Sequence, residues 1–199
     1  MIISLPKLAI CGLMIAFLAA LFSQGSFAQR RDFLTDEEVE IVRDAQDIDA
    51  RIEVLLRMAD RRFHVLGIDV KGWKDAGKAS DLWGDLPKGS RTDLFSDIKR
   101  IVQKAVDDID NLSANPDAAP IRDKGDKRTK TDQQRFPRAV RELAAGATRY
   151  KEPLKTELDR STNEAEKGLI ITTLDLCQQI IEAVAKLPAE VKDEKKSKN

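Results

Sequence analysis

One histidine, His64, and two cysteines, Cys11 and Cys177, occur in 199 residues. A zinc site needs three or four ligands, and no second histidine or paired cysteine is there to build one. The same scarcity removes C-x-x-C-H haem attachment and the Glu-x-x-His pairs of di-iron bundles. No histidine stands in the spacing of a known nucleophile–base arrangement, so the residue types carry no catalytic constellation. Neither metal nor cofactor is expected. Net charge is lacking too: basic and acidic residues number 34 each. A balanced chain has no one-signed field to draw nucleic acid. Strand signals are equally scarce. Ile68-Asp69-Val70 is the only candidate and is too short to matter. No internal repeat is evident.

What the chain does have is helical periodicity. In the stretch from Asp47 to Leu66, the residues Ile48, Ile52, Leu55, Leu56, Ala59, Phe63 and Leu66 draw one continuous apolar stripe. Asp49, Glu53, Arg57, Asp60, Arg61 and His64 fall on the other face and are expected to be wet. Before it, Thr35-Asp36-Glu37-Glu38 reads as a capping box opening a short helix to about Ala45. Asp47 reads as a second N-cap after a break near Gln46, and Gly67 as the stop.

Three further striped segments follow. Ser90 caps the first, with Asp93 reaching back; Leu94, Phe95, Ile98, Ile101, Val102, Ala105, Ile109 and Leu112 make its stripe. Asp97, Arg100, Lys104, Asp107 and Asp108 are assigned to its wet side. The next is expected to start near Phe136, which puts Pro137 in a first turn. Its phase holds through Pro153 from Tyr150 to Leu154, so one helix with a kink is expected there. Ser161-Thr162-Asn163-Glu164 reads as a capping box for the last helix, which Pro188 stops. The fold class is therefore all-α: an antiparallel four-helix bundle with a short extra N-terminal helix and two long loops.

Residues 1–28 read as a secretory signal peptide: Lys7, an apolar run from Leu8 to Phe22, and a small-x-small site at Ser26-Phe27-Ala28. Fifteen apolar residues fall short of the ~20 that span a bilayer. The alternative is an uncleaved anchor, the one route by which a membrane enters. Residues 29–34 are then a lead-in, 35–188 the helical domain and 189–199 a disordered charged tail. Once the leader is gone, Cys177 stands alone and no internal disulfide can form. The location expected is periplasmic or extracellular.

Few motifs survive inspection. Gly72 to Lys78 fits G-x-x-x-x-G-K, but Ala79 stands where a hydroxyl must hold Mg²⁺ and no strand precedes it, so no nucleotide is expected. His64 reads as a solvated side chain, with a lone base or ligand as the alternative. Cys177 reads as a small packed residue, with an intermolecular disulfide or reactive thiol as alternatives. Asn111-Leu112-Ser113 is a sequon at a helix end. Trp73 and Trp83, in the glycine-rich loop from Gly67 to Gly89, either cap the core or anchor a partner or apolar ligand. Lys124, Lys127, Arg128 and Lys130 form a basic cluster in the second loop, open to an anionic ligand.

Leu34-Thr35-Asp36-Glu37-Glu38 followed by Ala45-Gln46-Asp47-Ile48-Asp49-Ala50-Arg51-Ile52 resembles a group of uncharacterised exported bacterial helical proteins. That resemblance implies bacterial export and a helical fold and brings no functional residues. The expectation is a non-enzymatic interaction or scaffold protein meeting a protein partner in the cell envelope. The alternative is a bundle that binds a small apolar or anionic ligand through the tryptophan loop or the basic loop.

Overall fold

The computed structural model describes residues 31–72, 80–115 and 132–187. The expected leader, residues 73–79, residues 116–131 and the expected tail lie outside them. Two compact units divide the chain, Met1–Asp32 and Phe33–Asn199, and every helix below belongs to the second. In order they are α1 (Asp36–Asp44), α2 (Ile48–Val65), α3 (Ser80–Trp83), α4 (Arg91–Ala114), α5 (Asp132–Arg160) and α6 (Glu164–Ala183), with a 3-10 turn at Val184–Lys186. No strand occurs among the described residues.

Local chemistry accounts for most boundaries. Thr35 Oγ1 accepts from the Glu38 amide at 3.3 Å and Glu38 Oε2 accepts from the Thr35 amide at 3.0 Å, closing the expected box. Ser90 and Asp93 do the same for α4. Gly67, at φ 74°, ends α2; its amide bonds His64 O and the Ile68 amide bonds Phe63 O, which satisfies two terminal carbonyls.

Asp47 is the N-cap residue of α2, as expected, although its side chain makes no capping hydrogen bond and its carboxylate meets Arg135 Nη1 at 2.6 Å. Two boundaries depart from expectation. α5 begins at Asp132, a turn before Phe136, so Pro137 lies inside the helix. Arg135 in that extra turn pairs with Asp47 and Asp49, which ties the turn down against α2. The cap of α6 is Asn163, whose side chain accepts from Ala165 N and Glu166 N. Ser161 sits too early to cap and bonds Glu166 Oε2 at 3.1 Å.

Packing joins α2 to α4 and α5, and α6 to the same two; α1 lies on α2 and α3. Cross-helix bonds set the directions. Arg135 meets Asp49 while Tyr150 meets Asp60, so α2 and α5 run the same way. Arg62, late in α2, lies 3.8 Å from Asp97, early in α4. The three residues 161–163 connect α5 to α6. Gly146 lets α2 and α5 approach closely: a Cβ there would stand 2.3 Å from Leu56 Cδ2. A larger residue there would require the Leu56 side chain to shift. Tyr150 and Leu154 are both fully buried, so α5 continues in phase past Pro153.

The stripe of α2 is the core face, with Ile52, Leu55, Ala59 and Phe63 at 0% exposure. Its wet face is not uniformly wet. Asp49, Asp60 and Arg61 are buried, as is Asp97 on α4, because partners from other elements neutralise them. Replacing Leu55 with alanine removes a packed side chain from a filled site and is expected to cost about 2–5 kcal/mol in chemical denaturation. A loss under about 0.5 kcal/mol would show that the stripe is not the core face.

Candidate functional site

The loop residues nominated from sequence divide sharply. Trp83, on the single turn α3, is 4% exposed and lies 5.6 Å from the Arg61 guanidinium, a buried cation–π contact. It caps the core and presents no anchor. Trp73, Lys124, Lys127, Arg128 and Lys130 lie outside the described residues, as does the G-x-x-x-x-G-K run beyond Gly72. His64 is exposed, as expected. Cys177 is fully buried, and burial pushes its thiol up to about 12, which keeps it protonated and inert at neutral pH.

Two buried polar networks organise the end of the molecule near the close of α2. In the first, Glu38 is completely buried and carries two arginines. Arg61 Nη1 donates to Oε1 at 2.6 Å; Arg62 grips the carboxylate with both Nη1 and Nη2, the latter at 2.6 Å. Arg61 also donates to the Asp85 carbonyl at 2.6 Å and Arg62 to the Phe33 carbonyl at 2.7 Å. One acidic residue of a capping box thus joins α1, α2 and the segment after α3.

The second network centres on Tyr150. Its hydroxyl donates to Asp60 Oδ1 at 2.7 Å, and its ring packs on Phe63 with centroids 4.9 Å apart. Arg149 reaches Asp60 Oδ2 at 3.3 Å and the Val70 carbonyl at 2.9 Å, which pins the chain leaving α2. Burial raises the Asp60 carboxyl above its ordinary range, although Tyr150 and Arg149 pull it down. Burial and the neighbouring Asp60 push the Tyr150 phenol well above its usual value.

Three hollows lined by described residues accompany this framework. One of about 290 Å³ lies between Asp60, His64, Asp69 and Lys71. A second, of about 510 Å³, is lined by Arg91, Glu157, Arg160 and Glu166 where α4, α5 and α6 meet. Its arginines are already engaged: Arg91 meets Glu157 at 2.8 Å and Arg160 meets the same residue at 3.3 Å. Two arginines balanced by two carboxylates give an anion little to bind.

The third is of another character. A cleft of about 330 Å³ opens between the C-terminal half of α4, the start of α5 and the end of α6. Ile109, Val140, Leu143, Leu176 and Ile180 form its buried floor; Phe136, Val106, Ala183 and Leu187 are half-buried walls. Only Asp110, Gln179 and Lys186 bring polar groups, all at the exposed rim. An apolar concavity with a few polar groups is the usual form of a small-molecule site. It lies near the N-terminal end of α5, whereas Trp83 belongs to the end where α2 closes. Ile109, Phe136, Val140, Leu143, Leu176, Ile180 and Leu187 fall on the apolar stripes, whereas Val106 and Ala183 do not, and the stripes did not show that these residues surround space.

No protein-family model, curated protein or solved structure matches the chain. The class defined so far is an all-helical protein with internal ion networks at one end and an apolar cleft elsewhere.

Two outcomes follow from the networks. Glu38→Gln takes the carboxylate from Arg61 and leaves Arg62 with only Asp97, 3.8 Å away, and is expected to cost about 3–5 kcal/mol in urea unfolding. The exposed Glu40–Arg43 pair is its control, with Glu40→Gln costing under about 1 kcal/mol. Tyr150 is the sole tyrosine, so tyrosinate absorbance reports it alone. Its folded pKa is raised, so its contribution to stability is complete below the unfolded value of about 10 and is lost as pH rises through the folded value. Tyrosinate should therefore appear only together with loss of the helical signal above pH ~10; ionisation of a still-folded chain near the ordinary value would contradict the burial.

Proposed function

We propose that this is a non-enzymatic binding protein, exported from the cytoplasm, that holds a small apolar molecule between α4, α5 and α6. The cleft beside Leu143 and Ile180 carries this reading, since its floor is apolar while most charged side chains around the other two hollows are engaged in hydrogen bonds or ion pairs. We read α2, α4, α5 and α6 as a four-helix bundle whose successive helices alternate in direction, α2 beside α5 and α4 beside α6 as parallel neighbours. In bundles, ligands sit among the side chains of facing helices, and this cleft is placed in that way. The leader-like residues 1–28 support export, and the lone Cys177 is compatible with it.

A second reading, a scaffold for a protein partner in the cell envelope, is favoured by Val39, Leu82 and Leu86. These are 41%, 66% and 44% exposed, and the first two sit on the touching elements α1 and α3. Such a partner would meet the molecule near Arg61 and would be indifferent to the cleft.

An uncharged apolar fluorophore such as phenylnaphthylamine tests the first reading. It should bind one per chain with an emission rise. Ala183→Phe, which fills the cleft from its wall, should weaken that binding about tenfold or more at unchanged thermal stability. Absent binding, or binding undiminished in the variant, overturns the cleft as the site.

A further inference from the structure

We infer that the cleft takes a single-chain amphiphile with a zwitterionic head, its chain along Leu143 and Ile180 and its head between Asp110 and Lys186; this rests on the apolar-ligand reading above. The shape of the lining comes first. Apolar residues make the floor and walls, and three polar residues make the rim, so the occupant needs one apolar end and one polar end.

The cleft is narrow, with a buried apolar floor and half-buried apolar walls from three helices. The chain's own neighbouring segments are poor fillers. Residues 116–131 contain Ile121 as their one large aliphatic, and residues 188–199 contain Val191. A slender alkyl chain suits both the volume and the chemistry.

Charge then selects the head. Most charged side chains around the other two hollows are engaged, whereas Asp110, Gln179 and Lys186 make no hydrogen bond or ion pair among the described residues. One cation and one anion, not joined to each other, complement a head carrying both charges. A carboxylate head would gain Lys186 but face Asp110; an ammonium head would gain Asp110 but face Lys186. Either of those meets one like charge, and a neutral head uses neither.

Calorimetric titration of the full chain with four amphiphiles of one alkyl length, each below its micelle concentration, tests this. The heads are phosphocholine, carboxylate, trimethylammonium and alcohol. Phosphocholine should bind about tenfold tighter than the alcohol, and Lys186→Gln and Asp110→Asn should each weaken it by about threefold while leaving the alcohol unchanged. Equal binding of all four overturns the head assignment and leaves the apolar-ligand reading standing. A carboxylate that binds tightest, and tighter still in Asp110→Asn, likewise overturns the zwitterion. Binding of phenylnaphthylamine without binding of any amphiphile overturns this inference alone. Failure of both probe and amphiphiles overturns the apolar-ligand reading with it. A doubling of mass in size-exclusion chromatography on amphiphile addition shows a second copy as the occupant and also overturns the inference.

Discussion

Glu38 is the residue on which the arrangement of α1 and α2 depends. Its carboxylate caps its own helix, neutralises Arg61 and takes both terminal nitrogens of Arg62. Two guanidiniums and a carboxylate could not be buried separately, since each bare ion would lose several kcal/mol of hydration on the order of magnitude usual for interiors. Together their charges offset one another, and the Asp85 and Phe33 carbonyls accept from the two arginines on either side. α1 is therefore more than a short leading helix. It supplies the counter-ion without which the end of α2 could not be covered.

The same principle recurs along α2. Asp49 is buried against Arg135 near its start, and Asp60 against Tyr150 and Arg149 near its end. These two contacts, with the close approach at Gly146 between them, fix α5 in register beside α2. Buried polar pairs of this kind contribute little net stability compared with apolar packing, but they penalise any sliding of one helix along the other. Around α4, α5 and α6 the constraint is looser. Apolar side chains from three helix ends meet there without enough bulk to fill the space, and the cleft is the result.

Trp83, in its glycine-rich loop, reads first as a cap on the core with an anchor as the alternative, and its burial beside the Arg61 guanidinium bears out the cap. The cleft shows the reverse. Val140, Leu143, Leu176 and Ile180 look like any core residues in sequence, and only their mutual placement turns them into the lining of a hollow.

The sequence by itself determined the helices, most of their caps, the stop at Gly67 and the passage of α5 through Pro153. These are local matters, settled by φ preferences, capping groups within four residues, and an apolar period along one axis. Tertiary structure alone decided that Asp49, Asp60, Arg61 and Asp97 are buried, that α2 runs alongside α5, and that α5 starts a turn early. Each of these depends on a partner far away in the chain, such as Arg135 for Asp49 and Glu38 for Arg61. A periodic pattern reports which face of a helix is apolar; it contains no term for the charge that another helix will bring to the opposite face.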